Sequence, residues 1–123
     1  MADELIPLDI REFIVGHIDS IAELEALLLL VQHQTCTVTN VAAQLYIDEN
    51  QAKVILAGLC QEGLAGCTDD LYWFNSEPPR QRDMVERLAV LYSRHLIPVT
   101  NLVHAKPSGI RAFAAAFKLR KDR

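Results

Sequence analysis

Basic residues are nearly missing from the first 75 positions of this 123-residue chain, where Arg11 and Lys53 stand against twelve acids. Cysteine is scarce as well: Cys36, Cys60 and Cys67 are an odd set without a CxxC pair. Such a set excludes the paired framework of a disulfide-stapled secreted domain, and a chain of this length can bury enough surface to need no staple. His33 and Cys36 are close in sequence, and Cys67 could approach them if two short strands pair. The three lack the spacing of usual zinc sites, so the thiols are expected to act as small buried hydrophobes, with no metal and no cofactor. Long apolar runs are also lacking, since Ala26–Val31 falls far short of the ~20 residues a membrane span requires. The acidic opening Met1-Ala2-Asp3-Glu4 has no basic n-region of a secretory signal, and a cytoplasmic, membrane-free protein is expected. No glycine-rich phosphate loop, GxSxG elbow or HExxH motif occurs. His17, His33, His95 and His104 are scattered, and Asp69-Asp70 reads as a turn pair, so an enzyme is not expected.

What is present is an uneven charge and a regular series of helix signals. Residues 1–75 carry net −10 and residues 76–123 net +6, together the −4 of the whole chain. The asymmetry predicts either packing of the two halves on each other or a partner of opposite charge. Along the chain, Pro7 closes a short N-terminal arm and Asp9 is expected to cap a helix from Ile10. Ser20 with Glu23 forms a capping box ahead of Ile21, Leu24, Leu27, Leu28 and Val31 at helical spacing. That helix should end near His33. Thr35–Val38 suits one brief strand, after which Thr39 should cap a helix over 40–45. Tyr46-Ile47 turns the chain, and Asp48 with Gln51 opens a helix that Gly63 should stop in the left-handed conformation. Leu64–Cys67 and Leu71–Phe74, separated by Thr68-Asp69-Asp70, read as a β-hairpin.

Helix, short strand, helix, turn, helix, hairpin is the order of a winged helix-turn-helix. The expected fold is therefore α+β, mostly α with one small β-hairpin wing, with a winged-helix domain over 1–75 and a helical region over 76–123. In that second region Val85, Leu88, Leu91, Tyr92, His95, Val99, Leu102 and Val103 form one stripe, with Pro98 kinking or splitting the helix. Ser108 can cap a last helix over 110–121, with Phe113 on its apolar face. A stripe of this length beyond the wing predicts a homodimer, with Leu88, Leu91, Tyr92, His95, Val99, Leu102 and Phe113 as interface candidates.

The strings Arg11-Glu12-Phe13-Ile14, His17-Ile18-Asp19-Ser20 and Leu24–Leu30 resemble the opening of a group of small bacterial winged-helix proteins. Val99-Thr100-Asn101-Leu102-Val103 and the stretch from Ile110 to Asp122 carry the same resemblance towards the other end. It covers nearly the whole chain and implies a fold similar to that of MarR-like regulators and a role in transcription regulation. Fold by itself does not license function.

In a helix-turn-helix the second helix enters the major groove. The DNA-contact candidates are accordingly Thr39, Asn40, Asn50, Gln51 and Lys53, with Arg80 and Arg82 on phosphates. Asn50 and Gln51 can pair with adenine and Lys53 with guanine or phosphate. Asp48, Glu49, Asp69 and Asp70 oppose them, because phosphate neutralisation supplies much of the affinity in such complexes. The alternative is an acidic protein-interaction module with no DNA binding, with Tyr72, Trp73 and Phe74 as potential anchors. Burial of the aromatics in the domain core is the competing expectation.

Overall fold

A computed structural model describes residues 6–77 and 79–105. Six helices and a three-stranded antiparallel sheet make up these residues, an α+β arrangement dominated by helix. No described helix is long and apolar enough to cross a membrane.

Helix α1 (Leu8–His17) starts after Pro7, not at a cap on Asp9 as the sequence suggested. The Pro7 carbonyl accepts from Arg11 at 2.9 Å. Asp9 lies inside the first turn, where its carboxylate accepts from the Ile10 amide at 2.8 Å and pairs with Arg87 at 2.7 Å. Helix α2 (Ile21–Gln32) begins at Ser20, whose Oγ accepts from the Glu23 amide at 3.1 Å. The Glu23 carboxylate reaches one residue beyond the cap and accepts from the Asp19 amide at 2.9 Å. Leu24, Ala26, Leu27 and Leu30 of α2 are buried, and the helix forms the centre of the core.

Strand β1 is only Cys36–Thr37, shorter than the expected Thr35–Val38. The reason is local. Thr37, not Thr39, caps α3 (Val38–Leu45): its Oγ1 accepts from the Asn40 amide, and the Asn40 side chain accepts from the Thr37 amide. This reciprocal box turns the chain into helix two residues earlier than anticipated. Helix α4 (Glu49–Gln61) opens on the expected box, with Asp48 accepting from the Gln51 amide at 2.7 Å and Gln51 from the Asp48 amide at 3.3 Å. A cap of this kind contributes about 0.5–2 kcal/mol. The helix ends in a Schellman motif: Leu64 N–H donates to Leu59 C=O and Gly63 N–H to Cys60 C=O. Gly63 sits at φ +77, a conformation that carries little cost without a Cβ.

The hairpin follows at once as β2 (Ala65–Thr68) and β3 (Leu71–Phe74), with Thr68 opposite Leu71 and Asp69-Asp70 as the two-residue loop. Strand order is β1-β3-β2, so β1 closes onto the outer side of the hairpin. Tyr72 and Phe74 face the core, as do Cys36 and Ala65, and two of the three hairpin aromatics are thus core residues. Trp73, on the opposite face, lies directly over Gly66. Asn75 and Gln81 both donate to the Gly63 carbonyl and tie the base of the hairpin to the start of the next helix.

The apolar stripe beyond the hairpin is two helices, α5 (Pro79–Arg94) and α6 (Leu96–Ala105). The break falls at His95, and Pro98 occupies the first turn of α6, where its ring is tolerated. In a continuous helix that ring would collide with the Arg94 carbonyl, which explains why the helix ends there. The elbow lets both helices fold back against α1 and α5 against α2. Val85, Leu88 and Val99 are fully buried within the one chain, and the core is continuous across position 75. The two halves are also joined by the Asp9–Arg87 pair and by the Tyr92 hydroxyl, which donates to Glu25 at 2.9 Å. The helix expected over 110–121 lies outside the described residues.

Candidate functional site

Helices α3 and α4, their turn and the hairpin tip carry most of the chemistry anticipated from the sequence. Thr39 and Asn40 are exposed in the first turn of α3, and Asn50, Gln51 and Lys53 are exposed in the first turns of α4. The two first turns touch, since Thr39 Oγ1 donates to Glu49 Oε2 at 3.1 Å. Asn40 and Gln51 are exposed yet engaged, each with its side-chain oxygen committed to a capping box. Their amide nitrogens keep donor capacity. Asp48 and Glu49 have a structural reason to stand at the start of α4, where negative charge complements the helix dipole.

The same elements also leave apolar side chains exposed. Tyr46 is 94 % exposed, Val54 72 % and Leu71 45 %. Tyr46 is the C-cap of α3 in the left-handed conformation, φ 58 and ψ 44, which for a bulky L-residue is a backbone outlier. Its ring adds almost nothing to the core, so packing does not explain why a tyrosine holds this position. Sequence reading identified the turn but not this residue. The available signal was a large aromatic at a helix C-cap, where Gly or Asn is usual.

Arg80 and Arg82 are exposed on α5 near the base of the hairpin. Arg82 is held by Glu86 at 3.3 Å and its guanidinium lies 5.9 Å from the Phe74 ring centre. It borders an open groove of about 540 Å³ together with His33, Gln34 and Trp73. Among the dimer candidates, Leu88 and Val99 have no exposed surface within the chain. Leu91, Tyr92, His95 and Leu102 are half-buried, and Phe113 lies outside the described residues. Within the one chain α1 and α2 cover much of the stripe, so its length alone does not call for a second copy. The large apolar side chains left exposed on α1, α5 and α6 are Leu8, Val90, Leu96 and Ile97.

The cysteines separate by environment. Cys36 is buried, Cys60 half-buried and Cys67 exposed, so the expectation that all three are core hydrophobes holds for Cys36 alone. Cys36 and Cys67 face Tyr72 from opposite sides of β3, two strand spacings or about 9–10 Å apart. Among the described residues no three His, Cys, Asp or Glu side chains converge to hold a metal ion. Burial raises the Cys36 thiol, and burial with the neighbouring Cys67 raises the Cys60 thiol. Burial also raises the Tyr72 phenol, assisted by Cys67, Cys60 and Asp70. Comparison with protein-family models, curated proteins and solved structures finds no match to this chain.

Proposed function

We propose that the chain is a winged-helix module that docks a partner protein through the α3–α4 turn, the exposed face of α4 and the hairpin tip. The order helix, strand, helix-turn-helix and hairpin, with the first strand added to the third, supports the winged-helix reading. The observation that carries the docking reading is Tyr46, an almost fully exposed aromatic held at a backbone conformation that costs energy. Exposed aromatics are favoured anchors of protein interfaces. Val54 and Leu71 supply further apolar area, and Asp48, Glu49, Asp69 and Asp70 ask for a basic partner surface. Homodimerisation enters this proposal through Leu8, Val90, Leu96 and Ile97, because Leu88 and Val99 already belong to the chain's own core.

A DNA-binding regulator is the second reading, supported by the exposed Asn50, Gln51 and Lys53 in the first turns of α4. The two readings differ in salt response. Titration of the protein with random-sequence duplex should show no micromolar binding at low salt, whereas Asp69→Lys with Asp70→Lys should create it. Wild-type binding that weakens steeply with salt would establish phosphate contacts and overturn the docking reading. In the docking reading Tyr46→Gly keeps the fold, relieves roughly 1 kcal/mol of backbone strain, and abolishes capture of the partner that wild type retains.

A further inference from the structure

Cys60 and Cys67 are seven residues apart, and the Gly63 stop returns the chain so that β2 packs against the helix that precedes it. Cys60 lies in the last turn of α4. Cys67 lies on β2 two residues after Ala65, which places it on the sheet face that α4 covers. Burial raises the Cys60 thiol first, and Cys67 is near enough to raise it further. Their exposure differs: Cys67 is open to solvent, while Cys60 is half-buried. The third thiol, Cys36, is buried on the far side of β3 and is out of reach of Cys67.

We propose that Cys60 and Cys67 are a redox-active dithiol that closes into a disulfide by exchange with a low-molecular-weight disulfide, stapling the end of α4 to the first strand of the hairpin. Exposure assigns the roles. The Cys67 thiolate attacks one sulfur of the small disulfide, breaking its S–S bond, releasing one thiolate that takes up a proton, and leaving a mixed disulfide on Cys67. Cys60 then loses its proton to solvent and attacks the Cys67 sulfur. The protein disulfide forms and the second small thiol leaves. Two protein thiols are oxidised and one small disulfide is reduced to two thiols, so the exchange balances. Burial of Cys60 protects it from direct attack and reserves it for the second step. The inference does not depend on which macromolecule the module binds.

The test uses the full reduced chain and oxidised glutathione at neutral pH, followed by alkylation and tryptic mapping. No Lys or Arg occurs between Val54 and Pro79, so one peptide, 54–80, carries both cysteines, while Cys36 falls in peptide 12–53. The expected result is a 54–80 peptide about 2 Da lighter than its dithiol form, with Cys36 still alkylated and full reversal by dithiothreitol. Cys60→Ser should then accumulate a glutathione adduct on Cys67. Cys67→Ser, at an exposed site, should leave Cys60 unmodified. A stable Cys67 adduct beside a free Cys60 in the wild-type chain would overturn the proposal. So would a disulfide that includes Cys36, or one that joins two copies.

Discussion

Replacing Gly66 by alanine tests the packing of the hairpin with a single methyl group. A Cβ built at Gly66 would lie 2.7 Å from both Cε2 and Nε1 of Trp73 and 2.8 Å from Cζ2. Ordinary contact begins near 3.4 Å, so the ring must retreat by about 0.7 Å. The indole is rigid, unlike the far end of a flexible side chain, and its retreat disturbs whatever the ring rests on. Overpacking of this kind costs about 1–3 kcal/mol. Removing a glycine from a strand returns at most about 0.5–1 kcal/mol through a less flexible unfolded chain. The net expectation is a loss of about 1–2 kcal/mol, or a fall in melting temperature of roughly 4–8 °C for a domain of this size. Trp73 is the only tryptophan, so its fluorescence reports the displacement directly, and urea titration followed by circular dichroism gives the free energy. In a Trp73→Ala background the clash partner is gone, and Gly66→Ala should be neutral or stabilising. A Gly66→Ala protein with wild-type stability and unchanged emission would refute the close approach of Gly66 to the indole.

Two further perturbations probe the joint between the halves of the chain. Leu88→Ala should cost about 2–5 kcal/mol, because the side chain has no exposed surface and leaves a cavity. If Leu88 is core within one chain, urea midpoints measured at dilute and at concentrated protein should shift by equal amounts. A loss that deepens on dilution would return this residue to a dimer interface. Tyr92→Phe removes the bond to Glu25 and should cost on the order of 1 kcal/mol near neutral pH. The Tyr92 phenol is raised to about 12, first by burial and then by its bond to Glu25. A raised folded value means the contribution is complete below the ordinary value of 10.0 and fades as pH climbs through about 12. The stability difference between wild type and Tyr92→Phe should therefore be constant to about pH 10 and shrink above it. A difference that already vanishes by pH 8 would contradict the bond.

Local chemistry made much of the fold legible. The Ser20 cap, the box at Asp48-Gln51, the stop at Gly63 and the turn at Asp69-Asp70 each satisfy backbone groups with neighbouring residues, though Glu23 accepts from Asp19 and so leaves the expected Ser20-Glu23 box half formed. They act through contacts a few positions apart, so sequence alone locates them. Where two local solutions competed, sequence reading chose the wrong one. Thr37 and Thr39 are both competent caps, and Asn40 three residues after Thr37 decided for the earlier. Asp9 is a competent cap by residue type but stands inside the helix, paired with Arg87 from a distant part of the chain.

The candidate surface was legible only as a set of polar residue types on α3 and α4. Its apolar component depended on which side chains the core left uncovered, and that is a property of packing. Tyr46 has the same side chain whether buried or exposed. Only the turn between α3 and α4 leaves it in solvent at positive φ.

From the sequence alone came the order of elements, their caps and the apolar faces, because hydrogen bonds along the backbone and helical periodicity are local. Tertiary structure decided what those faces meet. The elbow at His95 folds Leu88 and Val99 into the chain's own core instead of offering them to a second copy, and the reversal at Gly63 packs β2, which carries Cys67, against α4, which carries Cys60. Neither contact can be read from spacing, since each depends on the path taken by a turn and on the helix or strand it packs against.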